Sequence, residues 1–496
     1  MRFKKLLAAA VTAAMAAMMV VVPASAAELP TAGGEITSGE YTLTGDVTLT
    51  NVLIVPEGAT VTINLNGYTL TSVAEGVFCN VINNSGELII NGADENGTQG
   101  AIIGSRHGIY NCGALTATDV EITTSYIDGI GLWNGDYDWN TDKVTAAGDA
   151  TLTNCTIGGG WFGILNYDGT ITLDSCNYDG SKGADKFIDN SGVVNITGTG
   201  ELGLIDGSSQ SDYGEVNVYD FTGSGLSIWQ NIKLTATNSN IYAVRNLRNS
   251  FNVEDCIIED QFTTNYIGRE ITAPCVLKDV TISNDNGGTT LYITHCEDVT
   301  IDNCTNDNGT TSLIETDTTI IGGSHNNVEV QNNANVNISE ATVGELRLTN
   351  DTATATVTSG TVDTITAGDS VTVENLIISG GTFGTTSIDR DTAEDVPLAY
   401  KETGTTGQYY ILTDNTSTAD LNGYKQSTGD TYSQMYTFVK NLTSGNAVGF
   451  NITSTQDGER ERNVTFDTAN IDSIAKLGLI VTDIPNGVTV DVQLTQ

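Results

Sequence analysis

Glycines recur along the first half of the chain, and after two longer units their spacing settles at 21 to 23 residues. The glycines are Gly86, Gly113, Gly148, Gly169, Gly192 and Gly214, and their successive spacings are 27, 35, 21, 23 and 22. The second and fourth residues after each glycine are apolar, as with Leu88 and Ile90 or Ile171 and Leu173. Period-two alternation after a turn residue predicts a short strand in every unit.

The repeat extends beyond these strands. In "GALTATDVEI", "GDATLTNCTI" and "GTITLDSCNY" the seventh and ninth positions after glycine are again apolar. They hold Val120, Cys155 and Cys176, then Ile122, Ile157 and Tyr178. The apolar positions change from even (two and four) to odd (seven and nine) after the glycine. This shift by one residue predicts a corner between two sheets. Later units repeat from Thr342 to Thr361 to Thr382. A repeat of roughly 20 to 25 residues, rich in Thr, Val, Ile, Asn and Gly, predicts a β-solenoid.

Polar side chains and cysteines also recur in phase with the glycines. Stacked amides can hydrogen-bond from rung to rung, so a structural ladder is predicted just before the turns. Its expected members are Asn83, Asn111, Asn166 and Asp189. The chain has eight cysteines without a CxxC pair. We expect them to be small core residues, with disulfides as the alternative.

The two ends of the repeat carry a family resemblance. The segment "GEYTLTGDVTLTNVLIVPEGATVTINLNGYTLT" (39–71), and "ISGGTF" followed by "AYKETGTTGQYYIL", resemble the first and last rungs of right-handed parallel β-helix proteins with the pectin-lyase-like fold. Such proteins occur among secreted bacterial surface proteins. The resemblance covers residues 33–412 and implies the right hand. It specifies a fold and transfers no catalytic residue to this chain.

The predicted organisation has three parts. Residues 1–26 have a basic start, an apolar stretch and a small-residue site at Ala24 to Ala26, which together indicate a secretory signal peptide. Residues 27–412 form the solenoid. After about residue 413, longer strands such as "QMYTFVKNL" and "NAVGFNITS" predict a small β-sandwich-like module over 413–496. The fold class is therefore all-β.

Charge restricts the partners. Without residues 1–26, 17 lysines and arginines face 61 acidic residues, a net charge of −44. Nucleic acid and anionic membrane surfaces would repel such a chain. No later segment has the roughly 18 apolar residues of a spanning helix. We expect a secreted protein, either free or attached to a cell surface, with polysaccharide or cell-surface glycan as its partner.

The unit between Gly113 and Gly148 is clearly longer than its neighbours and contains "WNGDYDWNTD" (133–142). Loops inserted between rungs leave the core and gather on one face. Four oxygen ligands alternate here, which is the pattern of a calcium loop: Asp136, Asp138, Asn140 and Asp142. Thr141 and Ala147 replace the glycine and the bidentate acid of an EF-hand. The expected cofactor is none, with calcium here as the alternative.

Aromatic residues in the insertion and in the next unit predict a stacking platform for sugar rings. They are Trp133, Tyr137, Trp139 and Trp161. Neighbouring carboxylates could accept hydrogen bonds from sugar hydroxyls. The competing hypothesis is that aromatics such as Trp133, which follows the apolar "GIGL", cover the core.

A Gly-Ile step recurs in "RHGIYN", "IDGIGLWN" and "WFGILN". Aligning these steps predicts that Asp128 stacks one rung from His107, beside Arg106. The three residues are the candidates for acid-base catalysis. A surface ion pair between Asp128 and His107 is the simpler interpretation.

These observations favour a non-catalytic, adhesin-like surface protein that binds glycans through loops on one face. The alternative is a polysaccharide lyase or glycoside hydrolase that uses Arg106, His107 and Asp128.

Overall fold

A computed structural model describes residues 27–371 except 74–78, 139, 142, 185, 208–213, 266–269, 285–286 and 369, together with 375–378, 382–386 and the strands that follow. The predicted signal peptide, residues 1–26, lies outside the described residues.

The chain forms a parallel β-helix solenoid, as the repeat predicts. Sheet I, which has 16 strands, carries the strands that follow the phased glycines. Its strands are Gly39–Thr42, Thr60–Asn64, Glu87–Asn91, Ala114–Thr118, Asp149–Thr153, Thr170–Asp174, Val193–Thr197, Gly214–Tyr219, Ile232–Thr237, Phe251–Glu254, Cys275–Lys278, Val299–Asp302, Asp317–Ile321, Asn335–Ser339, Thr354–Val357 and Leu376–Ile378.

Sheet II has 22 strands and faces sheet I across the core. Its strands are Gly34–Glu35, Leu53–Val55, Asn80–Asn84, His107–Asn111, Ile130–Asn134, Phe162–Asn166, Lys186–Asn190, Leu204–Gly207, Ser227–Trp229, Asn240–Ile241, Ala243–Leu247, Ile257–Ile258, Phe262–Thr264, Thr281–Ile282, Thr289–Thr294, Thr305–Ile314, Ser324–Gln331, Thr342–Leu348, Thr361–Ala367, Thr382–Thr386, Tyr400–Glu402 and Tyr409–Ile411. The last two strands pair antiparallel and close the sheet.

Sheet III, with six strands, forms the third side of the first rungs. Its strands are Val47–Leu49, Thr69–Ser72, Gly100–Gly104, Val120–Thr124, Thr156–Gly158 and Asn177–Asp179. An antiparallel hairpin, Asp136–Asp138 with Lys143–Ala146, and a short 3-10 helix, Gly180–Lys182, branch from the solenoid.

The C-terminal part contains two antiparallel three-stranded sheets. One consists of Tyr424–Lys425, Met435–Lys440 and Lys476–Val481. The other consists of Ala447–Ser454, Arg460–Asp467 and Val488–Thr495. The pairing thus changes from parallel in the solenoid to antiparallel in this part of the chain.

The predicted register is confirmed in sheet I. Leu88, Leu115, Ala150, Ile171, Val194 and Val216 occupy one row, and each is almost fully buried. The phased glycines stack because neighbouring backbones approach closely. A Cβ on Gly169 would lie 2.1 Å from the carbonyl oxygen of Gly148. Only glycine fits such a contact, so the glycine spacing follows the rungs.

The corner that leaves sheet I explains the cysteines. One residue there adopts a positive φ, for example Asn154 at 51° and Asp255 at 52°, a conformation that Asn and Asp tolerate best. A cysteine often follows, and its Sγ lies 3.1 to 3.5 Å from the carbonyl oxygen two residues earlier. These cysteines are Cys155, Cys176, Cys256 and Cys304. All eight cysteines lie within the described residues, none forms a disulfide, and seven are buried, as expected of small core residues.

The amide ladder exists, but two of its predicted members are displaced by one residue. The buried row comprises Asn84, Asn111, Asn134, Asn166 and Asn190. Each Nδ2 donates to the next Oδ1 over 2.7 or 2.8 Å. Asn83 and Asp189 lie on the outward side of the same strands, because strand side chains alternate. The prediction for these two residues is therefore wrong.

We predict that Asn134→Ala destabilises the solenoid by about 3 kcal/mol, because it leaves the Asn111 amide and the Asn166 carbonyl oxygen buried without their ladder partners. Urea unfolding followed by circular dichroism measures the shift. Asn91→Ala is the matched control, since its amide bonds to Asn64 in a partly exposed row, and it should cost about 1 kcal/mol or less. Equal shifts for the two variants would contradict a special role for the buried ladder.

Candidate ligand-binding face

The described part of the long insertion includes an antiparallel hairpin that folds over the outer face of sheet II. Tyr137 points inward from the hairpin, and its ring stacks on Tyr167 with centroids 5.1 Å apart. Trp133 contacts His107 edge to face at 5.5 Å. These aromatics belong to a second hydrophobic cluster outside the solenoid core, the outer cluster. It contains Ile130, Trp133, Tyr137, Phe162, Leu165 and Tyr167.

The outer cluster changes the interpretation of the aromatic platform. Trp133 and Tyr137 are each only 8% exposed. A ring that stacks on a sugar must present a face to solvent, so their positions fit a structural role and do not fit an open platform. Trp161 differs, since 49% of it is exposed. Trp139 lies outside the described residues.

The acidic residues of the hairpin are engaged in its own turn. Asp138 accepts hydrogen bonds from the Asn140 backbone N–H at 2.9 Å and from the Thr141 hydroxyl at 2.8 Å. The Asn140 N–H is the main cause of the lowered pKa of Asp138. Asp136 accepts from the Thr145 hydroxyl at 2.6 Å. Asn140 is exposed, and Asp142 lies outside the described residues.

The described residues contain no group of three or more His, Cys, Asp or Glu side chains placed to hold a metal ion. The structure therefore adds no support to the calcium alternative at Asp136, Asp138 and Asn140.

The expected stack of Asp128 on His107 is wrong. The register pairs His107 with Ile130, and a Cβ on Gly108 would lie 2.4 Å from the carbonyl oxygen of Gly131. The Gly-Ile alignment chose Gly129, two residues too early. His107 is 3% exposed, and its Nδ1 accepts a hydrogen bond from the Ile130 N–H at 3.1 Å. Asp128 is exposed on the preceding turn.

Two stacked turns bring an exposed group of side chains together. The backbone N–H groups of Gly160 and Trp161 both donate to the carbonyl oxygen of Gly129, at 3.0 and 2.9 Å. Exposed apolar residues stand on these turns: Tyr126 is 45% exposed, and Ile127 is 69% exposed. We call the following set the turn patch. It contains Arg106, Tyr126, Ile127, Asp128 and Trp161.

Each aromatic ring of the turn patch is held in place by a contact with a neighbouring side chain. Trp161 stacks on Phe162 of the outer cluster, with centroids 4.5 Å apart and ring planes at 25°. The Arg106 guanidinium lies over the Tyr126 ring, 5.7 Å from its centroid. These contacts reduce the rotamer freedom that a ligand would otherwise have to restrict. The turn patch thus combines preorganised aromatic surface with one cation and one carboxylate.

Sequence reasoning missed a polar row further along the outer face of sheet II. Asp189, Asp206, Trp229 and Arg245 pair in register on consecutive strands. We call them the outer polar row. Each follows a buried aliphatic residue in "IDN", "IDG", "IWQ" and "VRN". This recurring pair was the signal that could have revealed the row.

A cleft lies further along the solenoid, around His295. An open cleft of about 350 Å³ surrounds His295, whose Nε2 lies 2.6 Å from Glu315 Oε2. Three more carboxylates line it, from Glu270, Glu297 and Asp317. The Nδ1 of the same histidine lies 2.6 Å from the hydroxyl of Thr294, its neighbour in sequence. Both ring nitrogens of His295 are therefore engaged by side chains of the cleft and its rim.

Comparison with known proteins yields no match to a family model, to a curated protein or to a solved structure. Among the residues that the structure describes, no helix combines the length and apolar character needed to cross a bilayer.

We predict that Trp133→Ala lowers the free energy of unfolding by about 3 kcal/mol, because it opens a cavity in the outer cluster. Trp161→Ala should change it by about 0.5 kcal/mol or less, since half of that side chain is in water. Chemical denaturation of the two variants measures the contrast. A stable Trp133→Ala variant would show that the outer cluster contributes little.

His325 provides a pH test of the core. It is 1% exposed, and burial lowers its pKa from 6.5 to about 4. The folded protein therefore resists protonation, so this contribution to stability is complete above pH 6.5 and is lost as the pH falls towards 4. The loss should reach roughly 3 kcal/mol at about 1.4 kcal/mol per pKa unit. His325→Gln should flatten this part of the stability profile in denaturation at several pH values, and an unchanged profile would contradict the assignment.

Proposed function

We propose that this protein is a secreted, non-catalytic surface protein of adhesin type that binds glycans through the turn patch. The observation that carries the proposal is the exposure of Tyr126, Ile127 and Trp161 on adjacent turns, beside Arg106 and Asp128. Monomeric proteins rarely expose clustered apolar side chains without a partner. We assign the solenoid to the right-handed, pectin-lyase-like class of parallel β-helices. Its parallel sheets support that assignment.

The chemistry of the turn patch matches that of a sugar. A pyranose ring has an apolar face that can lie against an aromatic ring, and its rim of hydroxyls both donates and accepts hydrogen bonds. Trp161 offers the ring, Asp128 accepts hydrogen bonds, and Arg106 donates them. Successive rungs are about 4.8 Å apart. The turn that carries Trp161 is therefore stacked on the turn that carries Tyr126, through the hydrogen bonds of Gly160 and Trp161 to the Gly129 carbonyl oxygen.

The net charge favours neutral glycans. A chain with 61 acidic and 20 basic residues repels polyuronates unless a cation bridges the two. Secretion, which rests on the predicted signal peptide, would place the turn patch where cell-surface and extracellular polysaccharides occur.

The enzymatic alternative is weaker at the residues first considered. His107 is buried and its Nδ1 is occupied by a backbone N–H, so it is poorly placed to accept a proton from a substrate. Asp128 stands on the preceding turn and is not its partner in the register. A lyase or hydrolase would have to use Asp128 and Arg106 with groups other than His107.

We predict that Trp161→Ala lowers the affinity for a bound glycan at least tenfold, because aromatic stacking and apolar burial are lost together. A glycan array followed by titration calorimetry on each hit measures the effect. Tyr242→Ala is the matched control, since Tyr242 is 44% exposed elsewhere on the solenoid. The glycan proposal fails if the array shows no binding, or if the two variants bind equally well.

Incubation of the protein with the same glycans tests the enzymatic alternative. Release of reducing ends or unsaturated uronates by the wild-type chain, abolished in Asp128→Asn, would overturn the non-catalytic assignment.

A further inference from the structure

The outer polar row contains a buried aspartate, Asp206, with one oxygen that has no hydrogen-bond partner. Asp206 is 4% exposed, and its Oδ2 pairs with Lys186 Nζ at 2.8 Å. Its other oxygen, Oδ1, is buried and has no hydrogen-bond partner. A buried carboxylate oxygen without a partner costs free energy, so a native structure normally satisfies it.

The neighbouring rungs repeat this condition with both donors and acceptors. Asp189 Oδ1 is buried without a hydrogen bond, and its nearest cation, Lys186 Nζ, is 3.8 Å away. Trp229 Nε1 and Arg245 Nε are buried donors without an acceptor. Four strands that are neighbours in the sheet therefore present two acceptors and then two donors that are buried without a hydrogen-bond partner.

The two cations at the outer polar row, Arg245 within it and Lys186 beside it, are each paired with a carboxylate. Lys186 pairs with Asp206, and Arg245 Nη2 lies 2.5 Å from Asp260 Oδ2. Asp189 is the remaining charge, and burial raises its pKa above the ordinary value of an aspartate. An anionic ligand would therefore meet two carboxylates, Asp189 and Asp206, beside cations that are already paired. No metal-binding group of three or more acidic, His or Cys side chains occurs in the described part of the chain.

We propose that the outer polar row is a second binding site, separate from the turn patch, for a neutral polyhydroxy ligand such as a sugar ring. A hydroxyl group donates and accepts at once, so adjacent hydroxyls can bond to Asp206 Oδ1 and accept from Trp229 Nε1 together. The guanidinium of Arg245 covers one face of Trp229 at 5.7 Å and holds the indole in place. The ligand class follows from these atoms and does not depend on the turn patch.

The test uses the full chain, labelled with ¹⁵N, and a panel of neutral hexasaccharides: cello-, xylo-, manno- and maltohexaose. Hexagalacturonate and chitosan hexamer are the charged comparators. The chain has four tryptophans, so its indole N–H region is simple, and the Trp229→Phe spectrum identifies the Trp229 signal. We expect a neutral sugar to shift that signal.

We expect Trp229→Phe to lower the affinity for that sugar about fivefold in calorimetry, the effect of one neutral hydrogen bond. Asp206→Asn should lower it about tenfold, since hydrogen bonds to a charged acceptor are stronger. Melting curves and far-ultraviolet circular dichroism confirm that both variants are folded. Trp161→Ala, which removes the turn patch, should leave the Trp229 shift in place.

The outcomes separate the two sites. If Trp161→Ala abolishes binding while Trp229→Phe and Asp206→Asn bind as the wild type does, the outer polar row is not a site and the turn patch stands. If only the row variants lose affinity, the row stands and the turn patch fails. A Trp229 signal that no neutral sugar moves, or that only a charged comparator moves, overturns the proposal for the row.

Discussion

Parallel backbone hydrogen bonds between successive rungs hold equivalent residues about 4.8 Å apart. Each residue of a rung therefore has a neighbour of the same role one rung away, and a single position in the repeat becomes a row along the molecule. Leu88, Leu115 and Ala150 form such a row in the core. Asn84, Asn111 and Asn134 form another at a corner. The core, the corners and the outer faces of the sheets all depend on this register.

The buried amide row adds specificity to the register. An apolar row tolerates a shift along the strand by two residues, because another apolar side chain replaces the first. The Asn row does not, since a shift would bury each amide without its partners at 2.7 or 2.8 Å. The ladder ends at Asn190, where the next strand places Gly207 in its position.

The register also organises the outer face of sheet II. Aromatic residues cluster on its earlier rungs, where Tyr137 of the hairpin stacks on Tyr167 and Tyr167 contacts Trp133. Charged and polar residues follow in the row from Asp189 to Arg245. Phe162 joins the two parts, because Trp161 stacks on its ring and Lys186 Nζ lies 5.7 Å above it. The two proposed sites thus lie on neighbouring rungs and share one supporting side chain.

The sequence alone determined the solenoid, the sheet I register and the corner cysteines, because glycine spacing and alternation report contacts that every rung repeats. Only the tertiary structure decided which candidate residues are exposed and which are buried. The segment "IDGIGL" holds two glycines two residues apart, so the Gly-Ile step led to Gly129 being aligned where Gly131 belongs, and Asp128 was placed beside a buried His107. The exposure of Trp161 and the burial of Trp133 depend on where the hairpin folds back. That is a contact between segments distant in sequence, and periodicity carries no information about it.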